Sequence, residues 1–152
     1  RRTDWKARHF DTYLESIDRI QDHGISVNGC FILGLDGTGP ESFEEVLDFV
    51  VQSQLHEVQI TVLTPFPGTP LYDRLRSTGR LLEPEAWQLC TLFDVNFVPD
   101  GMSVRELETG FRWLAERLYS EEMTHTRRRG FRERLKSLAA RGREERSSTH
   151  AD

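Results

Sequence analysis

Apolar positions along the first half of the chain recur with two different periods. Phe10, Leu14 and Ile17, flanked by Tyr13 and Ile20, fall on one helical stripe, and Gly24 follows where a helix end favours a left-handed residue. From Ile25 to Gly34 the pattern becomes that of a strand. Pro40 opens a second helical stretch, with Glu41, Glu44 and Glu45 near the positive end of its dipole and Phe43, Val46, Leu47 and Val50 as its buried face. Val58 to Thr64 reads as a second strand. Thr69 then supplies an N-cap, Pro70 the first helical position and Gly79 the close of a short helix. Ser103 and Glu106 form a capping box ahead of a seam made by Val104, Leu107, Phe111, Leu114 and Leu118. The intervening residues 80–100 are predicted to be irregular, with Trp87, Leu89, Leu92, Phe93 and Phe97 packed down.

Two successive strand–turn–helix units predict an α/β fold with parallel strands, in which a ligand sits at the carboxyl ends of the strands. Side chains alternate across each strand. Val58, Ile60 and Val62 make an apolar face suited to helices, while Gln59, Thr61 and Leu63 make a mixed one. Val27, Gly29, Phe31 and Leu33 likewise oppose Asn28, Cys30, Ile32 and Gly34. Polar groups on the mixed faces call either for backbone partners or for a lumen holding something polar. Two parallel strands need cover on both faces and neighbours on both edges. The expectation is therefore that further strands lie N-terminal to Arg1 or come from a partner, and that the chain alone self-associates.

Composition narrows the picture. With 152 residues, 37% hydrophobic and 30% charged, the chain suits one domain with a real core. No apolar run approaches the roughly 18–20 residues of a membrane span. Arg1 to Arg8 is followed by no apolar block, which argues against a secretory signal, and the missing initiator methionine suggests a fragment. Cys30 and Cys90 suggest no disulfide framework, so a cytoplasmic location is expected. No Cys-x-x-Cys occurs, and His9, His23, His56, His125 and His150 lack ligand-like spacing, so no metal held by this chain alone is expected. Residues 127–152 hold nine Lys/Arg against four Asp/Glu within a chain of net charge −5. Without an aromatic platform this basic run reads as a solvated helical tail that frays from Ser147, and nucleic-acid binding is not expected.

The turn Gly34-Leu-Asp-Gly37-Thr-Gly39 raises the question of a phosphate cradle. No lysine follows its glycines, and the helix after it opens on carboxylates that repel an anion. Tight turning and close approach of an uncharged or zwitterionic ligand fit it better.

Taken together, three segments in order resemble the C-terminal half of a radical S-adenosylmethionine enzyme of the subgroup associated with a cobalamin-binding domain. Phe31-Ile-Leu-Gly34-Leu-Asp-Gly37 is similar to the fifth-strand motif. Thr64-Pro-Phe-Pro-Gly-Thr-Pro-Leu-Tyr72 is similar to the segment after the sixth strand. Leu92-Phe-Asp-Val-Asn-Phe-x-Pro99, Met102-Ser103 and Gly110-Phe-Arg-Trp-Leu114 resemble a C-terminal extension. The resemblance covers roughly residues 9–125. It implies the C-terminal portion of a partial (β/α) TIM-like barrel at 1–80 and a family-specific helical extension at 81–126, ahead of the basic helical or disordered tail at 127–152. It also implies S-adenosylmethionine, a 4Fe-4S cluster on a Cys-x3-Cys-x2-Cys loop, and cobalamin through an N-terminal domain. The adenosyl group would meet Ile32, Gly34 (for clearance), Thr61, Leu63 and Pro65. Ile32, Thr61 and Leu63 lie on the mixed faces that alternation alone picks out.

The three cluster cysteines, their strand and the element that grips the methionyl amine are not in this sequence, and the extended fifth-strand pattern is kept only in its core. No catalytic residue is assigned, and the chain alone is expected not to cleave S-adenosylmethionine. Its partners would be the missing half-barrel or a second copy, with a small-molecule substrate in the full enzyme and no membrane. Two other readings stand beside this one: a stand-alone mononucleotide-binding module built on Gly34–Gly39, and a helical interaction module formed by residues 103–140.

Overall fold

The computed structural model describes residues 10–149, with side chains described for 12–143. Within them the order is α1 (Phe10–Gln21), β1 (Asn28–Leu33), α2 (Ser42–Ser53), β2 (Glu57–Val62), α3 (Pro70–Ser77), a 3-10 turn (Trp87–Leu89), α4 (Val104–Leu118) and α5 (Glu121–Thr149). The predicted element types and order hold, with ends shifted by up to three residues. The result is mixed α/β, with β1 and β2 paired in a two-stranded parallel sheet and five α-helices among the described residues. Parallel pairing shows in a constant offset: Glu57 N–H donates to Val27 O at 3.3 Å and Leu63 N–H to Leu33 O at 2.9 Å.

The chain divides into two compact units whose boundary cuts across β1, α2 and β2. One groups residues 10–29, 48–58 and 119–149; the other groups 30–47 and 59–118. Residues 81–118 thus cluster with the carboxyl halves of both strands, and the packing boundary does not coincide with a sequence boundary at residue 80.

The first unit is held largely by α5. Arg134 reaches Asp22 at 2.8 Å and Asp18 at 3.0 Å on α1, and Arg128 meets Glu57 at 3.3 Å. Phe131 is buried, its ring 4.7 Å from that of His56. Arg127 is buried too, and loss of solvation lowers its pKa while the Glu57 charge opposes the shift. Three arginines of the basic run therefore serve the fold, so over residues 127–134 the run is packed and paired and is not the solvated tail expected. The helix runs to Thr149, past the expected fraying at Ser147, and residues 150–152 lie outside the described ones. Gly24, at φ 77°, ends α1 as expected, with Ile25 N–H returning to Ile20 O at 3.4 Å.

In the second unit the core gathers Leu33, Phe43, Ile60, Val62, Leu75, Phe97, Leu107 and Leu114. Gly110 lets α2 and α4 close up, since a Cβ there would lie about 2.1 Å from the Phe43 ring. Thr69 caps α3, its hydroxyl accepting from Tyr72 N–H at 3.3 Å. One expectation fails: Phe97 is buried, but Trp87 (64% exposed), Phe93 (58%) and Leu92 (37%) stand out in solvent. The bridge between Leu81 and Phe97 and the 3-10 turn fix this stretch by its backbone, leaving those side chains outside the core.

The capping box is present as read. Ser103 N–H donates to Glu106 Oε2 at 2.7 Å, and Glu106 N–H donates to Ser103 Oγ at 3.1 Å. The backbone bond first, and the hydroxyl second, hold the Glu106 carboxyl below its ordinary pKa. A folded-state pKa below the unfolded one contributes stability above the unfolded value, and that contribution is lost as pH falls through the folded one. The stability advantage of the native chain over Glu106→Gln, measured by urea unfolding, should therefore be present at neutral pH and vanish on acidification. Ser103→Ala should cost about 1 kcal/mol at neutral pH in the same measurement.

Candidate functional site

The pleat gives the two strands one covered and one open face. In a parallel pair each residue sits between the two it bonds, so this register sets Ile32 beside Thr61 and Cys30 beside Gln59. Cys30 Sγ approaches Gln59 Oε1 at 3.8 Å, as that register requires. Leu33, Ile60 and Val62 are buried on the covered face. On the other, Cys30 and Gln59 are exposed, Thr61 and Leu63 half-buried, and Ile32 is 52% exposed. An isoleucine in mid-strand is ordinarily among the residues a fold buries first. The open surface is an apolar centre, Ile32 and Leu63, edged by a hydroxyl, an amide and a thiol. Thr61 Oγ1 donates a long 3.4 Å bond to Phe31 O.

The five expected site residues separate into two groups. Ile32, Thr61 and Leu63 come together on the open face. Gly34 and Pro65 are buried. Gly34 has φ 80°, and a Cβ there would lie 2.8 Å from Leu107 Cδ2 and 3.1 Å from Phe97 Cζ. The room its missing side chain leaves is filled on that side by the chain's own core.

The turn after β1 is closed by the chain's own charges. Gly37 N–H donates to Asp100 Oδ1 at 2.9 Å and Gly39 N–H to Glu41 Oε1 at 2.9 Å. Two amides that a phosphate would need are already held by carboxylates, which weighs against a mononucleotide module. Asp36 is clamped by Arg74 at 2.7 Å and Arg80 at 2.9 Å. Gly101 abuts the same turn; a Cβ on it would come within about 2.3 Å of Thr38 O. The lock pairs residues 38 to 63 positions apart, and no local pattern reveals it.

The turn after β2 is fixed in its own way. Thr64 is buried with its hydroxyl on Val62 O at 3.0 Å, and Thr69 Oγ1 donates to Phe66 O at 2.6 Å. On the edge of β2 that faces away from β1, Val62 N–H donates to Leu92 O at 2.7 Å. Among the described residues no group of three or more His, Cys, Asp or Glu is placed to hold a metal ion, and Cys30 and Cys90 are free thiols. No helix among them is long and apolar enough to cross a membrane.

An α/β segment with one bare strand face and a clamped C-terminal extension is the class these features define. Residues 69–151, more than half of the sequence, match the family described as a domain of unknown function, DUF4070, and the chain belongs to it. That family is found in cobalamin-binding radical S-adenosylmethionine methylases. The chain is 25% identical over 124 residues to the bacteriochlorophyllide d C-12(1)-methyltransferase of Chlorobaculum tepidum, covering 82% of this chain and 26% of that protein. It is 40% identical over 85 residues to the hopanoid C-2 methylase of Rhodopseudomonas palustris, covering 53% and 16%. An uncharacterized methyltransferase of Synechocystis is 27% identical over 89 residues, covering 59% and 17%. The chain spans about a quarter of the first relative's length and about a sixth of the others'.

Gly34→Ala combines a left-handed backbone with a contact too short for its neighbours. It should lower stability by roughly 1–3 kcal/mol in denaturant unfolding. The same change at Gly37, also at positive φ but with nothing within 4 Å, should cost less.

Proposed function

We propose that this chain is the C-terminal portion of a radical S-adenosylmethionine methylase and that the open face of β1 and β2 lines the adenosyl site. The observation that carries the reading is the bare Ile32–Thr61–Leu63 surface at the carboxyl halves of two parallel strands. Adenine is flat and apolar on its faces and polar at its rim, and a surface of two aliphatic groups edged by a hydroxyl suits it. In this reading the free edge of β1 takes the preceding strand of a partial barrel, and at β2 the sheet ends. Leu92 O already occupies the Val62 N–H on the edge where another strand would add.

The donor set of this chain does not fit an iron–sulfur cluster, so the cluster would be held by a Cys-x3-Cys-x2-Cys segment outside it. S-adenosylmethionine bound there, cleaved to methionine by one electron from that cluster, would supply a 5′-deoxyadenosyl radical. The part played by this chain is to seat the adenosyl group, keep water from it and hold the two strand exits rigid. Methyl transfer, rather than rearrangement or ring formation, is favoured by the relatives named as methylases. Gly34 and Pro65 act on the site from beneath, fixing the strand exits, while Ile32, Thr61 and Leu63 make the contacts. Cobalamin would enter through an N-terminal domain.

Two measurements test this. Anaerobic reconstitution of the 152-residue chain with iron and sulfide should yield no stoichiometric cluster absorbance and no 5′-deoxyadenosine. In the assembled enzyme, with the cysteine-bearing half-barrel present, Ile32→Asp should lower 5′-deoxyadenosine formation at least about tenfold, as burying an unpaired charge against the adenosyl group demands. Because Ile32 is solvent-exposed in this chain, the substitution should leave the chain's own unfolding midpoint nearly unchanged. Full activity in Ile32→Asp would remove the adenosyl group from this face.

A further inference from the structure

Helix α5 divides its basic residues between two faces. Arg127 and Phe131 are buried and Arg134 pairs with Asp18 and Asp22, so this side belongs to the fold. At about 3.6 residues per turn, Arg129, Arg132, Lys136 and Arg143 fall within about 30° of a single line on the opposite side, and that line is about 21 Å long. All four are exposed. Arg129 approaches Glu133 at 4.0 Å, while Arg132, Lys136 and Arg143 have no ion pair among the described residues. Ala139 and Ala140, both exposed, fill the gap before Arg143 and are too short to hold a flat surface away.

The shape of this stripe selects its partner. A cationic helix seated in a duplex groove needs charge on both flanks, because the phosphate ridges stand about 12 Å apart on either side of it. Here the flanks do not supply it: about 70° to one side stands Glu133, and about 70° to the other Arg128 is held by Glu57 at 3.3 Å. No aromatic side chain lies on the stripe to stack on single-stranded bases. Protein partners bind through a buried aromatic or aliphatic centre, and the stripe has none. A flat anionic surface needs neither. A plane tangent to the helix meets all four cations at once, and each adds its own attraction. The chain as a whole carries −5, so attraction to such a surface must come from this local row and not from net charge.

We propose that the outer face of α5 is a docking surface for an anionic lipid bilayer, held there by surface charge and not by insertion. The lack of a membrane-spanning helix among the described residues bears on insertion alone. Four cations on one line are the pattern by which a helix lies against anionic headgroups. The opposite face, anchored by Phe131 and Arg134, keeps the row turned outward. The proposal does not depend on the adenosyl reading of β1 and β2.

The test mixes the full chain with vesicles of equal parts phosphatidylglycerol and phosphatidylcholine, and separately with phosphatidylcholine alone, and reads the bound fraction by co-sedimentation at low salt. Saturable binding to the mixed vesicles alone is expected, falling steeply as salt is raised. Arg132→Gln and Lys136→Gln should each weaken it roughly fivefold. Arg105→Gln, at an exposed position on α4, changes the net charge by the same amount and should leave binding nearly unchanged. Because all three side chains are exposed, the unfolding midpoints should stay in place. Equal binding to phosphatidylcholine, no binding to either vesicle, or an equal loss in Arg105→Gln overturns the proposal. So does a short DNA duplex that binds more tightly than the mixed vesicles at the same salt and is weakened by the same variants, since the stripe then serves nucleic acid. If sedimentation without lipid shows self-association that Arg132→Gln and Lys136→Gln abolish, the stripe faces a second copy and the proposal falls.

Discussion

A parallel strand pair that is covered on one face and bare on the other governs the rest of this structure. Parallel strands ordinarily lie between two layers, because each face carries apolar side chains that must leave water. Here Leu33, Ile60 and Val62 are buried on one side, while Ile32, in the middle of its strand, is left in solvent. The edges are unequal as well: Val62 N–H of β2 is engaged by Leu92 O, while β1 has no second strand beside it among the described residues. The asymmetry gives the open face a direction. In the proposed reading a further strand adds at β1, and the adenosyl group meets Ile32, Thr61 and Leu63.

The exits of the two strands are made rigid by long-range contacts. After β1, Asp36 is gripped by Arg74 and Arg80, Gly37 N–H by Asp100, and Gly101 lies against Thr38. These contacts explain both the glycines and the acidic residue of the turn without any bound anion. Two arginines on Asp36 and a carboxylate on the Gly37 N–H hold the shape of the turn, and with it the exit of the strand whose open face it ends.

Much of this was legible in the sequence because it is local. The capping box at Ser103 and Glu106, the Thr69–Pro70 helix start and the Gly24 helix stop each depend on a few neighbouring residues, and each is present. Strand alternation identified the face that proves bare, since a period of two leaves no choice once one set packs inward. Three things could not be read. The space beside Gly34 is filled by Phe97 and Leu107, which are more than sixty residues away in the chain. Trp87, Leu92 and Phe93 looked like core because hydrophobicity does not say which side of a backbone a loop turns outward. The Asp36 and Asp100 lock joins charges that sequence shows only as scattered surface residues.

The family match begins at residue 69, yet the matched segment does not pack as a module apart from the strands. Leu92 completes the edge of β2, Leu107 and Phe97 fill the space above Gly34, Phe43 lies on Gly110, and Asp100 holds Gly37. Each of these pairs one residue from within the match with one from before it. Removing the strands would uncover Phe97 and Leu107, two side chains otherwise fully buried, at roughly 1.5–3 kcal/mol each, a sizeable share of the about 5–15 kcal/mol by which a domain is stable. A boundary drawn by sequence similarity therefore marks where related proteins remain alike, while the unit that folds includes the two strands. It follows that substitutions in the extension reach the open face through the strand exits, and that the face and its cover are one structural object.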